Sequence, residues 1–101
     1  MNTDTSNIGV YVLRLENDKW YVGYSADLAH RLDRHTRGGG ASGWTRTHKV
    51  LEVYAVVRGV GKDYEREATL SLMRQCGWEN VRGAGWCCEY LAHPPKALRK
   101  G

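Results

Sequence analysis

The chain has 101 residues, 42% hydrophobic and 26% charged, with four Trp, six Tyr and no Phe, which is enough for one domain with a modest core and leaves no room for a second. Fifteen Lys and Arg against eleven Asp and Glu give a net charge of +4, which favours a polyanionic partner. No apolar run is long enough for a membrane helix and no charged-then-apolar leader is visible, so the expected location is the cytoplasm, and the odd set Cys76, Cys87 and Cys88 fits reduced thiols better than a zinc site or a disulfide framework.

In chain order, residues 1–7 are polar and read as a flexible N-terminal arm, residues 8–92 as the folded domain, and residues 93–101 as a basic C-terminal tail. Residues 8–15 are apolar on both alternating faces, Val10 and Val12 on one and Tyr11, Leu13 and Leu15 on the other, which predicts an inner strand. A polar turn at 16–19 returns into a second strand at 20–24, a hairpin with Tyr11 and Tyr21 on its two arms. Ser25 or Asp27 can cap the helix that follows, Leu28 and Leu32 form its buried stripe, and Gly38-Gly39-Gly40 stops it. On that helix Arg31 and His35 are four apart and share one face, while His30 points elsewhere and Arg34 and Arg37 read as solvated.

Residues 38–49 read as a glycine-rich, basic and aromatic loop, residues 50–58 as a third strand, and residues 63–76 as a second helix capped by Asp63 and stopped by Gly77. The glycines near Lys62 lack the spacing of a phosphate loop. The expected architecture is α/β (α+β), a small three-stranded, largely antiparallel sheet flanked by helices.

Gly9-Val10-Tyr11, Tyr21-Val22-Gly23, Arg31, His35, Glu67 and Asn80, taken in this order and spacing, resemble the signature of the GIY-YIG nuclease superfamily, with valine for isoleucine in both triplets. The resemblance implies a DNA endonuclease that hydrolyses phosphodiester bonds with one Mg²⁺ or Mn²⁺ ion, leaving 5′-phosphate and 3′-hydroxyl ends. It implies work on DNA in repair or in a mobile element, near the nucleoid in a bacterial or viral setting. The 38–49 segment looks similar to the subgroup acting on branched or structured DNA.

In that pattern Tyr11, Tyr21, Arg31, His35, Glu67 and Asn80 are the catalytic set. A phenol with a pKa of about 10 is ionised only about once in a thousand at pH 7, so either Tyr11 or Tyr21 could serve as base only with help from a guanidinium or a metal. Arg31 would fork onto the scissile phosphate and His35 would accept or relay a proton. Glu67, following Arg66 and preceding Ala68-Thr69-Leu70, is the metal ligand by resemblance, with Glu65 as the fallback on a different side of the helix. Asn80 would buttress the site. Trp44, Arg46, Lys49 and Arg82 combine charge with stacking surface and are the expected DNA contacts. Some members carry lysine after the second triplet; this chain has Tyr24. The rival readings are a nucleic-acid-binding module that keeps the fold without cutting and a protein-interaction domain, with a protein partner supplying specificity.

Overall fold

The spine of the sheet is β1 (Gly9–Leu15), which runs between β2 (Trp20–Ser25) and β3 (Val50–Arg58), antiparallel to both; β4 (Val81–Gly83) adds to the far edge of β2 in parallel. This arrangement comes from a computed structural model that describes residues 6–37, 43–86 and 90–98. The inner position explains the sequence of β1: Val10 faces one layer and Tyr11, Leu13 and Leu15 the other, and all four are buried.

Two layers of helix cover the two faces. On the Tyr11 face lie α1 (Leu28–Thr36) and α2 (Gly43–Thr47), and the core there joins Tyr11, Leu13, Leu15, Tyr21, Leu28 and Trp44. On the Val12 face lies α3 (Lys62–Cys76), where Leu70, Met73 and Val81 pack with Trp20, Trp78, Trp86 and Leu91.

Local chemistry sets the ends of these elements. The β1–β2 turn is a single 3-10 turn over Glu16–Asp18, with Asn17 and Asp18 at φ 63° and 59°, a region these two residue types tolerate better than most. Asp27 caps α1, accepting from the His30 N–H at 3.2 Å, and Ser25 Oγ in turn accepts from the Asp27 N–H at 2.9 Å. Asn7 completes the cap: its carbonyl accepts from the Leu28 N–H at 2.8 Å, its Oδ1 from the Ala29 N–H at 2.9 Å, and its Nδ2 donates to Asp27 at 2.9 Å. The Asn7 side chain and the His30 amide hold the Asp27 carboxyl below its usual range.

Several expectations change. The sheet has four strands rather than three, because Val81–Gly83 is too short to show a period of its own yet docks on β2. The loop expected over 38–49 contains α2. Gly61 rather than Asp63 occupies the cap position of α3; its carbonyl accepts from the Tyr64 and Glu65 amides, and Asp63 sits in the first turn. Gly77, at φ +92°, ends the helix with its N–H on the Met73 carbonyl at 2.9 Å. Asn7, read as the last residue of the N-terminal arm, is tied to α1, and residues 1–5 lie outside the described residues. Gly38-Gly39-Gly40, Cys87, Cys88 and residues 99–101 of the tail lie outside the described residues.

Candidate active site

The two phenols and the imidazole meet inside the core of the Tyr11 face. The Tyr11 hydroxyl lies 3.1 Å from His35 Nε2, a buried hydrogen bond between β1 and α1. The Tyr11 and His35 rings are 5.4 Å apart, Tyr21 is 6.2 Å from Tyr11 and 5.9 Å from His35, and all three pairs are tilted. Tyr11 is 0% and His35 1% exposed, whereas Tyr21 is 9% exposed and forms the edge of the group.

The two triplet glycines make this geometry possible. Tyr11 and Gly23 are register partners, and a Cβ on Gly23 would overlap Cζ and the hydroxyl of Tyr11, so the phenol lies flat on bare backbone. A Cβ on Gly9 would collide with the Val57 carbonyl, so the close pairing of β1 with β3 needs hydrogen there.

Burial holds the His35 imidazole down at about pKa 4, with the Arg31 and Arg34 guanidinium groups lowering it further, so the ring is neutral at pH 7. Among the described residues its Nδ1 is buried without a hydrogen-bond partner. Arg31 is half-buried one turn earlier on the same helix face and acts on the ring through its charge.

The two glutamates of α3 go to different places. Glu67 is exposed on the α3 side, lining a groove with Val12, Tyr54, Ala55 and Tyr64, and Val12 points to the face of the sheet opposite Tyr11. Glu65, two residues and about 200° around the helix away, is half-buried and its carboxylate accepts from the backbone N–H groups of Tyr24 and Ala84. It therefore sits where β2 and β4 part. Tyr24 follows Gly23, the register partner of Tyr11, in β2. Burial raises the Glu65 pKa, and Lys62, whose Nζ is 6.0 Å from the Tyr24 ring centroid, opposes that rise.

Glu67, expected to converge with Tyr11 and Arg31, is instead exposed on the Val12 face, and Glu65 is the glutamate of α3 held against the backbone at the end of β2. The signal was in the sequence. Thr69 and Met73 follow Glu65 at intervals of four, both are buried, and Thr69 Oγ1 donates to the Glu65 carbonyl at 2.7 Å, so position 65 continues the inward stripe. No group of three or more His, Cys, Asp or Glu side chains that could hold a metal ion occurs among the described residues. One carboxylate steadied by two amides still suits a hard divalent cation, which completes its shell with waters and phosphate oxygens.

The remaining candidates divide. Asn80 Nδ2 donates to the Cys76 carbonyl at 2.8 Å and its Oδ1 accepts from Lys19 Nζ at 2.7 Å, so it fastens the end of α3 to the start of β2. Two expected DNA contacts are interior. Trp44, 3% exposed, donates from Nε1 to the Trp20 carbonyl at 2.9 Å. The Arg82 guanidinium, also 3% exposed, lies 4.2 Å from the Trp44 ring centroid and donates to the carbonyls of Trp78, Glu79 and Val81. A cation satisfied by three carbonyls and an indole face is not available to a phosphate. Arg46 and Lys49 are exposed and flank a cleft that reaches His35.

The profile of the GIY-YIG catalytic domain matches residues 7–71. UPF0213 protein OB0043 of Oceanobacillus iheyensis is 40% identical over 53 residues, covering 52% of this chain and 60% of the relative. UPF0213 protein YazA of Bacillus subtilis is 34% identical over 50 residues, half of each chain. The chain thus spans about half the length of these curated relatives. No solved structure gives a significant match. No helix among the described residues is long and apolar enough to cross a membrane.

Proposed function

The chain belongs to the GIY-YIG catalytic-domain family, a family of nucleases, and from that premise we propose that it is an endonuclease that hydrolyses phosphodiester bonds in DNA. The observation that carries this reading is the buried Tyr11–His35 hydrogen bond, with Arg31 on the same helix face; Glu65 is the carboxylate we assign to the site. The oxygen of a water bonds to phosphorus and the bond to the 3′ oxygen breaks, leaving a 5′-phosphate and a 3′-hydroxyl.

The water's proton passes to the Tyr11 oxygen as the Tyr11 proton moves to His35 Nε2, which burial keeps neutral and ready to accept it. The departing oxygen is protonated by solvent. Arg31 supplies forked donors to the phosphate oxygens as charge builds on them, and Tyr21, at the edge of the group, forms the wall against which the strand rests. Glu65 is the residue that would hold a Mg²⁺ or Mn²⁺ ion, which supplies positive charge opposite the phosphate when bound. The proposed place of work is the DNA-bearing compartment of the cell, with branched and structured duplexes among the substrates.

The test is cleavage of linear, nicked and branched DNA with and without Mg²⁺ by the wild type, Tyr11→Phe, Arg31→Ala, Glu65→Gln and Glu67→Ala. Tyr11→Phe, Arg31→Ala and Glu65→Gln are expected to lose about 10²–10⁴ in rate while staying folded. Glu67→Ala should stay within about threefold of wild type, as expected for an exposed residue away from the phenols. A silent Glu67→Ala beside an active Glu65→Gln would overturn the carboxylate assignment. Absence of cutting by the wild type on every substrate would overturn the nuclease reading.

A further inference from the structure

His35 has two sides. Its Nε2 is turned to the Tyr11 hydroxyl, and the residue also forms part of the wall of a cleft of about 440 Å³ between the end of α1, α2 and the start of β3. The other walls are Thr36, Arg37, Thr45, Arg46, Lys49 and Val50. Among these described lining residues there are three permanent cations, two hydroxyl side chains and no carboxylate. Two acids stand beside it: Asp33 pairs with Arg37 at 3.0 Å on the exposed side of α1, and Glu16 accepts from the Lys49 backbone N–H at 3.0 Å.

Arg37 is already paired, but Arg46 and Lys49 set like charges around one hollow, a cost that an anion in the hollow removes. The cleft volume lies within the range of small-ligand sites and is large enough for a phosphate with its sugar. The imidazole at its inner wall also keeps a buried Nδ1 without a hydrogen-bond partner among the described residues, an arrangement that protein interiors seldom leave in place.

Resting on the nuclease reading of the Tyr11 site, we propose that this cleft is a second phosphate subsite, holding the DNA backbone at the linkage next to the one being cut, with His35 as the partition between the two. Arg46 grips that phosphate from α2 and Lys49 from the link between α2 and β3, Arg37 closes it from the end of α1, and the Thr36 and Thr45 hydroxyls are within the same lining. Charge and hydroxyls read a backbone and not a base, so the subsite gives affinity and register without sequence preference. It also gives α2 a purpose: Trp44 is locked into the core, and that anchor presents Arg46 and Lys49 at a fixed distance from Tyr11.

The experiment has two arms. In the first, inorganic phosphate is titrated into the full chain at low ionic strength while the Thr36 and Thr45 amides and the His35 ring are followed by NMR. Saturable shifts are expected in the wild type and in Arg74→Ala, an exposed cation outside the cleft, and at least about tenfold weaker binding in the double variant Arg46→Ala/Lys49→Ala. In the second, DNA binding is measured against salt. The double variant should reduce the slope of log K against log salt by about two, one for each phosphate-facing cation removed, with KM raised about tenfold or more and kcat within about threefold.

Unshifted Thr36 and Thr45 in the wild type, or a double variant that keeps the wild-type slope, overturns the subsite, as does an equal loss per charge in Arg74→Ala. If the wild type binds DNA and phosphate as described but never cuts, the nuclease reading fails and the subsite stands. Both variants change exposed side chains, and an unchanged thermal midpoint shows that the fold is intact.

Discussion

The two faces of the sheet are built from different materials. On the side of α1 and α2, the buried set includes the Tyr11 hydroxyl, His35, Thr45 and the Arg82 guanidinium; on the side of α3 it is mostly hydrocarbon, Leu70, Met73 and Val81 with Trp78, Trp86 and Leu91 against them, the buried polar side chain there being Thr69, bonded to the Glu65 carbonyl. Desolvated polar groups are stable only with partners, and several on the first side have them by narrow margins: a neutral imidazole, a phenol flat on a glycine, a guanidinium shared among three carbonyls. Hydrocarbon on the second side has no such requirement. The lesson is a division of labour: one layer gathers the phenols, the imidazole and the guanidinium, while the other, apart from Glu65 at its margin, supplies most of the stability that tolerates them.

That division can be broken most directly at Met73. Met73→Ala leaves a void in the α3 layer and should lower stability by about 2–5 kcal/mol in a denaturant titration. The cleavage rate of the fraction that remains folded should stay at the wild-type level. A rate that falls with the stability would mean that the two faces are coupled.

The next test is pH. The His35 pKa falls from 6.5 in the unfolded chain to about 4 in the folded one. Above pH 6.5 both states hold the ring neutral and nothing is lost. Between 6.5 and 4 the unfolded chain binds a proton that the folded chain refuses, so stability drops by about 3 kcal/mol over that window and levels off below it. In His35→Gln this part of the slope should vanish from a pH series of urea midpoints. An unchanged slope would assign the acid sensitivity to other groups.

The smallest effect sharpens the boundary. Asn80→Ala removes the bonds to the Cys76 carbonyl and to Lys19, and should cost about 1 kcal/mol of stability with catalysis retained. Loss of activity without loss of stability would give Asn80 a part in the reaction after all.

Much of the chemical face is legible in the sequence because it is local. The hairpin fixes Tyr11 against Gly23 through register, and the four-residue interval between Arg31 and His35 fixes their common side. What escapes is whatever depends on the helix phase of α3 or on long-range docking. Glu65 and Glu67 are both plausible by composition, and the choice between them needs the inward stripe through Thr69 and Met73. β4 has three residues and α2 five, too few for a period to register. Trp44 and Arg82 look like surface residues until each is seen to satisfy the other in the interior.

Asn7 carries a consequence for the site. Its side chain and carbonyl set the first turn of the helix that bears Arg31 and His35. The aim of the guanidinium and the imidazole is therefore fixed in part from before β1, by an amide that touches neither of them.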